Sequence, residues 1–485
     1  MFKAGLKAAL TAMASALCAC SLAPPYAAPP APRIADYKEG GLWTQATPAD
    51  QLPRGGWWRL FADADLDRLE QQVDAANPTL AGALARYDEA SAYLREAQSS
   101  LLPNLDAGGS LTRNRQSDNR PLRGANQPNQ YDADTLSADV GWELDLWGRV
   151  RNRVAAERSL AEADAADLQS VKLSLESDLA DDYVRLRGLD NQSALLDQVV
   201  QDWTRTLALT ERRHSDGLSS KVDVDRARTQ LEQAKAQQSE TAGRRALLEH
   251  AIASLTGAPA STFTLPAKAE PIATPNVPPA IPSRLVQRRP DIAAAERRMA
   301  AANSRIGVAR AAYFPTIDLL GSAGYQNTGG NSLISAPNAI WGIGPSLALT
   351  LFDGGRRKAA NAAARAAFDE ASAAYRARVL QAFQEVEDSL SLENQLAAEA
   401  QSEDAAIAAA REAEALATKR YQRGVTSYLD VVTAQTAALQ AEQSGYDLAT
   451  RRSEASIHLI RAIGGGWNGD GAAARANKGP MAYQD

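Results

Sequence analysis

The sequence predicts an α+β membrane protein built as a tandem duplication, and three observations carry that reading. Long proline-free stretches rich in Ala, Glu, Gln, Arg and Leu read as helices far longer than a globular domain uses. Four short segments alternate apolar and polar residues with a period of two, the signature of strands. The whole series of landmarks recurs roughly two hundred residues further on, so the repeat organises everything else.

The helices come first. Between Pro128 and Pro259, and again between Pro345 and Pro480, there is no proline, and from Arg356 to Arg423 there is neither proline nor glycine. At 1.5 Å per residue, 149–216 alone spans about 100 Å. A two-stranded coiled coil would show a sustained Leu or Ile seam, whereas here alanine fills most apolar positions. Small residues suit a helix that touches two neighbours along narrow flanks, as in a hollow helical cylinder.

The strands interrupt the helices. In the second alternating segment Leu136, Ala138, Val140, Trp142, Leu144 and Leu146 share one face, and in the fourth Trp341, Ile343, Pro345, Leu347, Leu349 and Leu351 do so. The first (Leu105, Ala107, Gly109, Leu111) and third (Ile317, Leu319, Gly321, Ala323, Tyr325) are weaker but in step. Two hairpins follow, one per half, joined by polar connections at 113–131 and 326–339. One apolar and one polar face suits a transmembrane barrel, because lipid tolerates no open sheet edge. Four strands cannot close a barrel with a usable lumen, so several copies must pool theirs.

The duplication sets the division of the chain. Leu101-Leu102-Pro103-Asn104-Leu105-Asp106 returns as Tyr313-Phe314-Pro315-Thr316-Ile317-Asp318, and the stretch from Arg213 to Val224 returns from Arg420 to Val431. The first repeat occupies 20–258, with strands at about 104–115 and 133–147 and helices at about 149–216 and 220–255. A Pro-rich linker fills 259–282. The second repeat occupies 283–466, with strands at about 316–326 and 340–352 and helices at about 356–423 and 427–462, and 467–485 reads as a flexible tail.

Composition narrows the location. A mean hydropathy of -0.33 is too polar for a bundle of membrane helices. The one apolar run, 8–17, is about half the length of a spanning helix. It follows Lys3 and Lys7 and ends in small residues, the layout of a secretory signal over 1–19. Both cysteines, Cys18 and Cys20, sit at its end, so nothing downstream can form a disulfide. Either they are incidental residues of a discarded peptide, or they belong to a processing site. Leu17-Cys18-Ala19-Cys20 resembles a bacterial lipobox, which implies an acylated N-terminus at Cys20. That modification would carry a covalent N-acyl chain and an S-diacylglycerol, with no other cofactor. Ser21 in place of Asp implies forwarding to the outer membrane.

The chain is acidic, at a net charge of -6, and its basic residues are dispersed, which argues against nucleic acid. The three histidines, His214, His250 and His458, lie far apart without metal-ligand spacing. No G-x-S-x-G and no phosphate-cradling loop occurs, so an enzyme is not expected.

The densest motif is Leu285-Val286-Gln287-Arg288-Arg289-Pro290-Asp291-Ile292, followed by Ala295-Glu296, Ile306-Gly307 and Phe314-Pro315-Thr316-Ile317. Trp57-Trp58 with Phe61 and Asp63, Asn77-Pro78, and Leu351-Phe352-Asp353-Gly354-Gly355-Arg356 add to it. Together, from Trp57 to about Trp467, these residues resemble the outer-membrane efflux proteins similar to the TolC channel, specifically their lipoprotein branch, the NodT type. The resemblance implies a homotrimer in which each chain gives four strands to a twelve-stranded barrel, above a periplasmic helical tunnel with a mixed belt that includes the Pro-rich linker. It implies export of solutes delivered by an inner-membrane pump of the RND type through a periplasmic adaptor. The adaptor would dock at two tips, Gly217, Leu218, Ser219 and Gly424, Val425, Thr426.

The resemblance also implies a gate. Asp223 and Asp430, each six residues past a tip glycine, match carboxylates that ring the tunnel mouth, and Tyr421 matches a gating tyrosine. From the residues alone, the aspartates are also readable as surface groups or helix N-caps, and Tyr421 as a packed aromatic between helices. The sequence departs from the family pattern at Thr426, where an arginine lock partner can occur, and at Thr433, where a second acidic residue can. Arg420, Arg423 and Arg213 are the candidate substitutes. Two other functions stand as alternatives: a type I protein secretion conduit, which shares the architecture and differs only in its partners, and a lipid-anchored coiled-coil spacer, which leaves the paired hairpins unexplained.

Overall fold

The structure, a computed structural model, describes residues 21–27, 38, 56–119, 128–270, 274–275, 289–329 and 332–465. The signal segment, Cys20, most of the linker from 271 onward, motif residues 285–288 and the tail 467–485 lie outside the described residues. The elements, in chain order, begin with a 3-10 turn at Trp57–Phe61, α1 (Ala64–Ala76), α2 (Pro78–Ser99), β1 (Asn104–Arg115) and β2 (Gln130–Glu143). There follow α3 (Arg149–Ser215), α4 (Lys221–Leu255), α5 (Pro290–Ala311), β3 (Thr316–Asn327), β4 (Ala339–Ala348), α6 (Arg356–Gln422) and α7 (Tyr428–Ala462).

Packing divides the chain differently from the repeats. One unit gathers residues 21–27, Arg86–Asp164 and Ala295–Tyr375; the other gathers the described residues of Ala31–Ala85, Ala165–Ala294 and Arg376–Asp485. Each unit takes pieces of both repeats, because a single repeat leaves sheet edges and helix faces that only the other repeat covers.

The first unit carries the sheet, antiparallel throughout in the order β1-β2-β3-β4. Its central ladder joins the two halves, from Asp134 opposite Asn327 to Glu143 opposite Asp318. β1 and β4 are left as unpaired edges among the described residues. Leu105, Leu111, Trp341, Ile343 and Leu347 are largely exposed on this sheet, so its apolar face has no partner among the described residues.

Two strand boundaries need correction. The strand expected at about 133–147 runs Gln130–Glu143, and that expected at about 340–352 runs Ala339–Ala348. In each case an aspartate ends the alternation by capping the next helix. Asp145 accepts from the backbone N–H of Val150 (3.0 Å) and Arg151 (2.8 Å), and Asp353 from Gly355 (3.0 Å) and Arg357 (3.2 Å). Satisfying two otherwise free N–H groups at each helix start outweighs extending the ladder. Trp147, beyond the ladder, donates to the Pro315 carbonyl at 2.8 Å and stacks on Phe314 with ring centroids 4.8 Å apart.

The second unit is helical, and its main core gathers Trp57, Trp58 and Phe61 of the 3-10 turn, Leu66, Leu69 and Val73 of α1, and Leu179, Tyr183 and Leu186 of α3. Ile252, Val386, Leu390, Ile457 and Ile460 complete it from α4, α6 and α7. Complete burial of Leu66 and Leu69 contributes roughly 2 kcal/mol each. Helix α1, which the sequence reading did not single out, starts where Asp63 accepts from the N–H of Asp65 and Leu66, and Tyr183 donates to the same carboxylate at 2.7 Å. Smaller clusters occur farther along the helices, one of Leu196, Trp203, Leu231, Ala234 and Leu439, another of Ala227, Tyr421, Tyr428 and Val431.

Candidate channel gate

Both long hairpins turn in the same way. Gly217 has a φ of 74°; its N–H donates to His214 O at 3.0 Å, and the N–H of Leu218 to Arg213 O at 2.7 Å. Gly424 has the same φ, with its N–H on Tyr421 O and that of Val425 on Arg420 O, both at 2.9 Å. These are left-handed helix ends in which the two bonds satisfy carbonyls the helix leaves open, a conformation that favours glycine. The turn then re-enters a helix through a serine, Ser220 or Ser427.

The expected gate aspartates complete those entries. Asp223 accepts from the backbone N–H of Ser220 at 3.2 Å and its hydroxyl at 2.8 Å, while its own N–H donates back to Ser220 Oγ at 3.2 Å. Asp430 repeats the arrangement with Ser427, at 3.1, 2.9 and 3.4 Å, and also accepts from the Thr426 hydroxyl. Each is therefore the third residue of a capping box. All the carboxylate's bonds fall on Oδ2, so Oδ1 of each makes none among the described residues. The Thr426 hydroxyl, then the two donors of Ser427, hold the Asp430 carboxyl below the usual range.

Tyr421 is buried and does not stand alone. Its ring lies 5.5 Å from that of Tyr428, and the Arg213 guanidinium sits over it at 4.7 Å. Arg213 Nη1 also reaches the Tyr421 carbonyl at 3.4 Å. Of the three arginines named from sequence, Arg213 is the one placed on the tyrosine, and it comes from the opposite repeat. Tyr421 Oη and Arg213 Nε have no hydrogen-bond partner among the described residues. Burial, then Tyr421 and Asp223, push the Tyr428 phenol up to about 12. Thr433 donates to Leu429 O at 2.8 Å along its own helix.

The tips present apolar groups to solvent. Leu218 is 69% exposed and Val425 64%, while Ser219 turns its hydroxyl back onto Thr210 O at 3.2 Å. Val222 (57%) and Leu429 (47%) add a second exposed pair that sequence reading missed. Their signal was an apolar residue two places after each capping serine, at equivalent positions of the repeat.

A second group of acids, unsuspected from the sequence, lies in the main core. Glu70 of α1 is fully buried, and neither carboxylate oxygen has a partner among the described residues. Burial, then Glu176 and Asp74, raise its pKa well above the ordinary value. Glu176 receives the Trp57 indole N–H at 3.2 Å, and burial pushes it up to about 7 against the pull of Lys172. Lys172 itself bonds Asp74 at 2.5 Å.

A family model described as outer membrane efflux protein matches residues 69–258 and 281–465. The outer membrane protein OprJ of Pseudomonas aeruginosa is 32% identical over 469 residues, covering 96% of each chain. The toluene efflux pump outer membrane protein TtgC of Pseudomonas putida is 32% identical over 478 residues, also with 96% of each chain covered. Among solved structures, the open state of the MtrE outer membrane channel of Neisseria gonorrhoeae superposes with a TM-score of 0.82 at 26% identity, covering 92% of this chain and 98% of that one.

Proposed function

The chain belongs to the outer membrane efflux protein family, and from that premise we propose how its own residues gate, dock and anchor an exit duct. It is an outer-membrane component of a tripartite efflux system, trimeric, with four strands per chain forming a β-barrel continuous with a helical tunnel in the periplasm. The unpaired edges of β1 and β4 fit that assembly, since neighbouring copies supply the missing ladders and lipid admits no open edge.

In the closed state the mouth is held by Arg213 on Tyr421. This single contact carries the reading, because it joins the last turn of α3 to the last turn of α6 across the two repeats. A guanidinium over a buried ring contributes about 1 to 2 kcal/mol per chain, small enough for a partner to release. Asp223 and Asp430 contribute six carboxylates in the trimer, favouring cations at a narrow opening. The exposed Leu218, Val222, Val425 and Leu429 give a periplasmic adaptor an apolar surface at both tips. An inner-membrane pump of the RND type delivers the cargo. Cys20, outside the described residues, carries the N-acyl and S-diacylglycerol chains; a thioether-linked lipid on Cys20 in the intact protein's mass spectrum supports this, and an unmodified Cys20 refutes it.

The gate is tested by single-channel conductance in planar bilayers. Arg213→Ala is expected to raise the conductance severalfold over wild type, Asp223→Ala with Asp430→Ala to weaken cation preference, and Arg212→Ala, on the exposed side of the same turn, to change neither. Unchanged currents in Arg213→Ala would place the lock elsewhere.

A further inference from the structure

In the sheet-bearing unit, residues 21–27 lie against α3 and α5. Ser21 Oγ donates to Asn152 Oδ1 at 2.9 Å, in the first turn of α3. The remaining bonds go to α5: Arg310 Nη1 donates to Leu22 O (3.2 Å), Asn303 Nδ2 to Pro24 O (2.9 Å), and Tyr26 Oη donates to a Glu296 carboxylate oxygen (2.5 Å) and lies 3.2 Å from the Glu296 carbonyl. The partners 310, 303 and 296 are seven residues apart, so they form one stripe of the helix, and the segment runs antiparallel along it. Leu22 and Pro24 present alternate carbonyls, as an extended chain does, and Pro24-Pro25 holds that conformation in advance.

Gly307 makes room for this. A Cβ there would stand 2.6 Å from Asn152 Nδ2 and 2.9 Å from Ala23 Cβ, closer than real Cβ contacts come. Glycine thus lets α5 touch the segment and α3 at one point. The helices themselves meet through Arg297 and Glu162 (3.2 Å), Arg298 and Asp164 (3.7 Å), and Arg305 and Glu157 (3.9 Å). All are part-exposed pairs that contribute little singly.

We propose that Asn152, Glu296, Asn303, Gly307 and Arg310 form a binding seat for the chain's own segment 21–27, which staples the first repeat to the second beside the strand-to-helix junctions. Glu296 and Gly307 are two of the residues that carry the family resemblance, and the seat accounts for what they do here. If Cys20 is acylated, the seat also sets where the lipid meets the fold. The staple itself does not depend on that modification, so the mass measurement above and the following experiment fail separately.

The full-length trimer in detergent, with Ala27→Cys carrying a nitroxide label and a chain without the added cysteine as background, reports the segment's mobility. The expected result is an immobilised spectrum in the unsubstituted seat. Gly307→Leu should give a severalfold shorter correlation time and a lower temperature for loss of the folded trimer band on gels. Asn303→Ala with Glu296→Gln removes two bonds without adding bulk and should do the same if Gly307→Leu fails to fold. A label that is mobile in the unsubstituted seat, a label that stays immobile in the double variant, or a trimer band whose melting is unmoved once the label is free would each overturn the staple.

Discussion

The main core and the hairpin tips of the helical unit hold their carboxylates in opposite ways. At the tips, Asp223 and Asp430 sit near water and take every available donor of the capping serine. In the core, Glu70 has no donor among the described residues, and Glu176 has one indole N–H and a lysine 3.6 Å away. The same functional group therefore strengthens one region when ionised and weakens the other. Burial without a partner favours the neutral acid, and local hydrogen bonding favours the anion. Acidification should stiffen the core and loosen the tip capped by Asp430.

The largest expected effect tests the core. Folded-state pKa values of Glu70 and Glu176 raised above the ordinary 4.5 mean stability that is full below that pH and lost as pH rises, toward about 7 for Glu176. Glu70→Met should therefore stabilise the trimer by roughly 3 kcal/mol at pH 8 and by clearly less at pH 5. Unfolding in detergent, followed by tryptophan fluorescence, reads this, and a gain that is constant across pH would remove Glu70 as the titrating group. A smaller effect is expected from the caps. Ser220→Ala and Ser427→Ala should each cost about 1 kcal/mol, seen as faster amide exchange in the first turns of α4 and α7. Unequal losses would show that the two boxes, alike in geometry, are not alike in energy.

The smallest effect separates the two tips. The folded Asp430 carboxyl lies below the ordinary 3.8, so its contribution is present above that pH and fades as pH falls through the lowered value. Amide protection in the first turn of α7 should drop on acidification below about pH 4, and Asp430→Asn should abolish that dependence. Protection that survives acid in the wild type would mean the serine alone holds the turn.

Much of this could be read along the chain. The helix spans, the two tip glycines and the Ser-x-x-Asp boxes are local patterns, since a cap and its target lie within a few residues. The strand ends went astray at Leu144, Leu146, Leu349 and Leu351 because the alternation continues past the point where Asp145 and Asp353 begin to cap α3 and α6. Helices α1 and α5, of 13 and 22 residues, are far shorter than the 67-residue α3 and α6, so their patterns stand out less from the surrounding chain. Of the two readings of Asp223, the structure shows the cap, made through Oδ2 to Ser220, because a cap joins neighbours in the chain.

By itself the sequence determined the long helices, the four strands, the duplication and the two capped turns, all of them set by interactions between near neighbours in the chain. Only the tertiary structure decided that Arg213 rests on Tyr421, that Glu70 is buried with no hydrogen-bond partner among the described residues, and that segment 21–27 lies on the stripe of Asn303 and Arg310. Those contacts join residues far apart in the chain, and no local pattern encodes which distant faces the packing of two repeats will bring together.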